Sequence, residues 1–197
     1  MKIAIDIDDT LTKVDRVTPS QQYITQNGLP FQLVNPDAHA IRDIFDWTQE
    51  DVMRFIWSGG GQIFTNAPAR QGAKEVIEGL RKAGHHVTIL TARSGDWFSD
   101  PVTLSREQLK RNQIPYDELV VDVYEKGKYC VEHDIEVLIE DNFEICKLAQ
   151  ELGVAAIMFL DKHNLNHKDE INYTVSNWEQ VAQTFGGIVS SKEPKRV

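Results

Sequence analysis

Three carboxylates stand within four positions near the start of the chain: Asp6, Asp8 and Asp9 in DIDDTLT, directly behind the apolar run MKIAI. Read with the period of a β-strand, Ile3, Ile5 and Ile7 point one way and Asp6 and Asp8 the other, so both carboxylates leave the strand in one direction. Like charges that close repel, and something must compensate them. Carboxylates at a strand end can bind a hard cation, supply a nucleophile or perform general acid/base chemistry. Without such a role they read as an Asx-rich turn leading out of a sheet.

Groups of the same kind recur further along. HVTILTAR reads as a strand ending near Thr91, ELVVDV as one ending at Asp122, IEVLIEDN as one ending in Glu140 and Asp141, and VAAIMFLD as one ending at Asp161. Helical patterns lie between them. QGAKEVIEGLRKAG carries Ala73, Val76, Ile77, Leu80 and Ala83 at helical spacing with Gly84 as its stop, and TLSREQLKRNQ, KYCVEH and FEICKLAQELG follow. This alternation predicts an α/β fold, a doubly wound parallel sheet of five strands with helices on both faces. Ligands of such sheets bind beyond the carboxyl ends of the strands, where these polar groups are expected.

About 60 residues separate the first strand from the helix beginning near Gln71, whereas an ordinary βα loop has roughly 2 to 6. A small helical cap inserted after the first strand accounts for the excess. Its helices are expected in TPSQQYITQNG, with Thr18 as N-cap, Pro19 at N1 and Gly28 beyond the end, in AIRDIF, and in TQEDVMRFIW, where Thr48 and Asp51 have capping-box spacing. The expected division is a core of residues 1–10 and 71–190, a cap of 11–70 and a flexible tail of 191–197.

Composition narrows the function. The 197 residues are 41% apolar and 26% charged, an ordinary balance for a globular chain. A net charge of −9, from 21 basic and 30 acidic residues, argues against nucleic-acid polymers and anionic membranes as partners. No apolar run approaches the ~20 residues that span a bilayer. The N-terminus lacks the pattern of a secretory signal, and Cys130 and Cys146 have no CxxC spacing. The expectation is a cytoplasmic protein with two reduced, structural thiols.

In order, the chain presents DxDxT at 6–10, Thr91 at a strand end, Lys126 before a short helix, and Glu140-Asp141-Asn142 at the next strand end. In these four motifs it resembles the haloacid dehalogenase (HAD) superfamily of phosphotransferases, over Met1 to about Phe185. Within that superfamily it is similar to the cytosolic 5'(3')-deoxyribonucleotidase group and its bacterial relatives, through DIDDTLT, DWTQEDVMRFIW, NAPARQGAKEVI, LTAR, IPYDEL, IEDN and SNWEQV. The resemblance implies a Rossmann-like core and an Mg²⁺-dependent phosphomonoesterase acting through an aspartyl-phosphate. Its substrate would be a small phosphorylated metabolite, a (deoxy)nucleoside monophosphate or alternatively a sugar phosphate.

The resemblance makes Asp6 the nucleophile and Asp8 the general acid and then base. Mg²⁺ would be held by the Asp6 carboxylate, the Asp8 carbonyl and Asp141, and the substrate phosphate by Thr91 and Lys126. These roles agree with the chemistry: covalent catalysis divides a slow hydrolysis into two easier steps, and the phosphoryl charge needs donors. Lys128 is the alternative lysine. Glu140 reads either as a contact to metal-bound water or as a capping acid for the next helix, and Arg93 either as a phosphate contact or as a partner for an acid. Asp9 is given no catalytic role, and Asp122 and Asp161 are placed at the rim.

Phe45, Trp47, Phe55, Ile56 and Trp57 read either as a platform for a nucleobase or, with more weight, as the cap's own core. His163 and His167 have HxxxH spacing, but in a polar segment without a helical pattern, which disfavours zinc. A receiver-like phosphoacceptor module is the rival from another class. It would place its accepting aspartate after the third strand, and it would lack the insertion.

Overall fold

A computed structural model describes residues 1–192. The strands are β1 (Lys2–Ile5), β2 (His86–Leu90), β3 (Glu118–Val120), β4 (Val137–Glu140), β5 (Ala155–Phe159) and β6 (Tyr173–Val175). They lie parallel in the order β3-β2-β1-β4-β5-β6, so the direction of winding reverses between β1 and β4. Backbone pairing there runs to the strand ends, where the Asp6 N–H donates to the Ile139 carbonyl at 3.0 Å. A ligand crevice opens at such a switch point because neighbouring connections depart to opposite faces.

The sheet has six strands rather than five. The added edge strand, Tyr-Thr-Val, is three residues long and follows a polar loop, so it shows too few alternations to stand out in the sequence.

The helices are α1 (Val17–Gln26), α2 (Ile41–Phe45), α3 (Gln49–Phe55), α4 (Gln62–Thr65), α5 (Ala73–Lys82), α6 (Pro101–Arg111), α7 (Lys126–Glu132), α8 (Phe143–Glu151) and α9 (Trp178–Lys192). Strand alternation sends Ile3, Ile5, Val87, Ile89, Val137 and Ile139 to one face, against α5, α6 and α9. Ala4, Leu90 and Leu138 go to the other face, against α7 and α8. Both faces are therefore covered, as an all-parallel sheet requires. Cys130 and Cys146 are buried free thiols in the second layer. Of the expected tail, residues 191 and 192 belong to α9, and 193–197 lie outside the described residues.

Four helices, α1 to α4, lie between β1 and α5. α1 starts earlier than expected. Thr18 lies inside it, and the Asp15 carboxylate accepts from the Val17 and Thr18 N–H groups at 3.1 and 3.0 Å, supplying the cap from a residue further upstream. The Thr48/Asp51 capping box forms at α3. The two ends of this segment meet: Thr12 bridges Ala69 antiparallel, and the Arg70 N–H donates to the Leu11 carbonyl at 2.9 Å.

Asp9 fixes this neck. It sits at φ 63°, a conformation disfavoured for residues with a Cβ, yet it is buried and fully engaged. Its carboxylate takes Arg16 and the Val14 N–H, and its carbonyl takes Arg70 Nε and Nη2 at 3.0 and 2.7 Å.

α7 approaches α8 at Gly127, where an added Cβ would lie 3.2 Å from the Ala149 backbone nitrogen. Backbone cannot yield as a flexible side chain does, so Gly127→Val is expected to destabilise the protein by about 1–3 kcal/mol through overpacking. Urea unfolding checks this; an unchanged midpoint would show that the helices separate freely.

Candidate active site

The carboxyl ends of β1 and β4 place Asp6, Glu140 and Asp141 side by side, and α7 brings Lys126 over them. Lys126 Nζ lies 2.5 Å from both Asp6 Oδ1 and Glu140 Oε2. All four residues are almost completely buried, between 2% and 4% exposed. Glu140 Oε1 also accepts the Asp141 and Asn142 N–H groups, each at 3.1 Å. Asn142, rather than Glu140, supplies the side-chain cap of α8 by accepting from the Ile145 N–H. Lys128 points elsewhere, exposed and paired with Glu125.

One ammonium pairs with two of these three carboxylates, Asp6 and Glu140, while Asp141 faces His163. Burial, with the Glu140 and Asp8 charges adding to it, pushes Asp6 up to about 8 against the pull of Lys126. Burial likewise raises Glu140 to about 7, and it raises Asp141 as well, against the pull of His163. Burial works against the Lys126 ammonium too, but Asp6 and Glu140 outweigh it and hold its pKa above that of an ordinary lysine. Asp6, Glu140 and Asp141 each offer an oxygen within 4.8 Å of the others'. A set of buried, charge-rich carboxylate oxygens fits a hard divalent cation.

Asp8 meets a different cation. β1 stops at Ile5 and residues 7–11 form an irregular turn, so Asp6 and Asp8 do not continue one strand face. The Asp8 carboxylate is gripped by the fork of Arg93, with Nε to Oδ2 at 2.9 Å and Nη2 to Oδ1 at 2.6 Å. Burial alone would raise its pKa, but the Arg93 guanidinium prevails and holds it below the usual value. Thr91 is buried beside this pair, and its hydroxyl accepts the Arg93 N–H at 3.3 Å. Thr10, the last residue of DxDxT, donates from its hydroxyl to Asp141 Oδ1 at 3.3 Å.

A cleft of about 430 Å³ opens over these groups and is lined by Asp6, Asp8, Thr91, Lys126, Glu140 and Asp141. That is within the roughly 300–1,000 Å³ of small-molecule sites. Its outer walls carry Phe64, Trp97, Phe98 and Tyr124. Phe45, Trp47, Phe55 and Ile56 face inward as the core of the 11–70 segment, and Trp57 is 74% exposed. None of these five lines the cleft: the first four form the core that the sequence favours for them, and the alternative of a nucleobase platform is not built from them. Two of the four aromatics that do line it, Trp97 and Phe98, sit in SGDWFSD, a loop whose composition signals only a turn.

Asp122 donates its N–H to the Arg93 carbonyl, and Asp161 pairs with Lys13 and Arg70. His163 and His167 part company: His167 pairs with Glu170, whereas His163 turns to Asp141 and is joined there by His39. Sequence spacing could not have paired His39 with His163, because the fold alone brings them together.

No family model and no curated protein matches the chain. Solved structures do, at the level of fold. A HAD-superfamily hydrolase from Ehrlichia chaffeensis superposes with a TM-score of 0.55 at 14% identity, covering 95% of this chain and 97% of its own. A predicted phosphoglycolate phosphatase from Haemophilus somnus gives 0.67 at 12% identity, covering 93% and 96%. A predicted β-phosphoglucomutase from Thermotoga maritima gives 0.65 at 12% identity, covering 95% and 99%. The chain thus has the fold of HAD-superfamily hydrolases over nearly its whole length. Among the described residues, no helix is long and apolar enough to cross a membrane.

Removing the shared cation isolates its contribution. Lys126→Ala leaves two buried carboxylates unpaired and is expected to reduce unfolding free energy by about 3–5 kcal/mol in Mg²⁺-free urea titrations. Lys128→Ala should leave the midpoint where it was. Equal effects from the two substitutions would show that the buried triad does not depend on Lys126.

Proposed function

We propose that this protein is an Mg²⁺-dependent phosphomonoesterase that works through an aspartyl-phosphate on Asp6, with residues 11–70 acting as a cap over the sheet. The observation that carries this reading is the meeting of Asp6, Lys126, Glu140 and Asp141 at the β1/β4 switch point, beneath an open cleft. The shared fold with HAD-superfamily hydrolases supports it.

An Asp6 carboxylate oxygen attacks the phosphorus of the ester, forming an acyl-phosphate as the ester P–O bond breaks. The departing alkoxide takes a proton from Asp8. Asp8 then takes a proton from the water that attacks the acyl-phosphate, releasing inorganic phosphate and restoring Asp6. Lys126 keeps Asp6 oriented and, with the Thr91 hydroxyl, offers positive charge and a hydrogen bond to the phosphoryl oxygens. Mg²⁺, held by the Asp6 and Asp141 carboxylates and the Asp8 carbonyl, supplies electrophilic stabilisation of that group when bound.

Arg93 bears on the first step. While its fork grips Asp8, that carboxylate is held as the anion, suited to act as a base and not as an acid. An entering phosphate dianion competes for the guanidinium, and an Asp8 released from it can carry the proton the leaving group needs. Arg93→Lys keeps the charge but loses the fork. Its kcat/KM is expected to fall by roughly 10²-fold or more, the scale of one lost positioned donor; wild-type kinetics would remove Arg93 from the mechanism.

The substrate we favour is a (deoxy)nucleoside monophosphate, because the cleft walls present Phe64, Trp97, Phe98 and Tyr124 to whatever the phosphate carries. A sugar phosphate is the second reading, favoured by the fold shared with a predicted β-phosphoglucomutase and a predicted phosphoglycolate phosphatase. Steady-state assays with Mg²⁺ across both classes decide between them. Nucleotides should be turned over with the higher kcat/KM, and Trp97→Ala should weaken them by up to about tenfold, the value of one aromatic contact. A preference for sugar phosphates, unaffected by Trp97→Ala, would assign the substrate to the second reading. In either case Asp6→Asn is expected to reduce turnover of a generic aryl phosphate by at least roughly 10³-fold; undiminished turnover would sink the nucleophile assignment.

A further inference from the structure

Beside the cleft, three buried polar atoms converge: Asp141 Oδ2, His163 Nε2 and His39 Nδ1. His163 Nε2 lies 3.3 Å and His39 Nδ1 3.6 Å from the same carboxylate oxygen. The three ligand atoms are all within 4.8 Å of one another, and the imidazole rings stand 4.7 Å apart, inclined at 45°. Asp141 is only 2% exposed, so its second oxygen has no recourse to solvent. Two imidazoles thus crowd one buried carboxylate oxygen, with His39 Nδ1 left without a hydrogen bond, and such a set normally signals a missing shared partner.

The spacing suggests what the partner is. Zinc bonds to imidazole nitrogen and carboxylate oxygen at about 2.0–2.2 Å, which at tetrahedral angles separates neighbouring ligand atoms by about 3.4 Å. Both measured contacts to Asp141 Oδ2 lie close to that edge length. Two imidazoles and one carboxylate also form a softer donor set than the all-oxygen environment beside it, one suited to zinc and its transition-metal neighbours rather than to magnesium.

We propose that His39, His163 and Asp141 form a second cation site, selective for a borderline transition metal such as Zn²⁺, which clips residues 11–70 to the edge of the sheet. Its ligands come from both parts of the molecule: His39 lies between α1 and α2, Asp141 follows β4, and His163 follows β5. An independent contact closes the same junction, since Lys162 Nζ, next to His163, pairs with Asp37 at 2.7 Å. A cation bound there would add a stronger tie, and Asp141 would link it to the Mg²⁺ ligands through its other oxygen. The site does not depend on the phosphatase reading, with which it shares only Asp141.

The test is Zn²⁺ binding to the full, tag-free chain by isothermal titration calorimetry in saturating Mg²⁺, with Co²⁺ as a spectroscopic substitute. Wild type is expected to bind one Zn²⁺ per chain and to give a visible Co²⁺ d–d band. His39→Ala, a change in a half-exposed loop that should leave folding intact, is expected to weaken Zn²⁺ by more than the roughly 10- to 100-fold that follows loss of an outer-shell partner, and to erase the band. Asp6→Asn should leave both signals in place, so a failed phosphatase reading would show separately. Displacement of Zn²⁺ by Mg²⁺, or unaltered Zn²⁺ affinity in His39→Ala, would overturn the proposal.

Discussion

The contact on which the rest of the site depends is the one between Lys126 and two carboxylates at once. Three buried acids stand beside a single buried ammonium, and burial, with repulsion from neighbouring acids adding to it, raises Asp6, Glu140 and Asp141 together. Buried carboxylates can relieve that repulsion by taking up protons or by sharing a cation. The fold keeps the arrangement because every part of it is held elsewhere: Asp6 by pairing of β1 with β4, Glu140 by two backbone N–H groups, and Lys126 by α7, seated on α8 through Gly127.

The two carboxylates of the opening motif have different partners, which suits them to the two different tasks proposed for them. Asp6 faces a lysine that also serves Glu140, whereas Asp8 has the Arg93 fork. Neighbouring titratable groups whose surroundings drive them apart in pKa are the usual means by which one site performs two proton tasks. Asp9, equally acidic, is spent on structure. It holds Arg16 and Arg70 at the neck of the inserted helices and accepts a left-handed backbone to do so.

Much of this could be read from the sequence because the strands are short, apolar and end in polar groups. Periodicity located β1 to β5, the rule that ligands bind beyond strand carboxyl ends put their polar end groups at one edge of the sheet, and the resemblance to the HAD superfamily joined Asp6 to Asp141. Lys126 was preferred to Lys128 from its place just before the helix, and the fold buries the first and exposes the second. What stayed hidden depends on contacts between distant segments. The grip of Arg93 on Asp8 spans 85 positions, Thr10 reaches Asp141 across 131, and His39 meets His163 only because a loop of the insertion descends on the loop after β5. For Phe45, Trp47, Phe55, Ile56 and Trp57 the sequence favoured a small core over a binding wall, and four of the five form that core; helical spacing of apolar side chains serves either purpose, so spacing alone left the wall open as an alternative.

The central claim, that the buried Asp6 carboxylate takes the phosphoryl group, is open to direct observation. Protein mixed with Mg²⁺ and a turned-over phosphomonoester, quenched in acid within one turnover and digested, can be sequenced by mass spectrometry. The account predicts a phosphoryl group on Asp6 that disappears when the quench follows a chase with substrate-free buffer. Full turnover with phosphate on another side chain, or with none on the protein at any time, would contradict it.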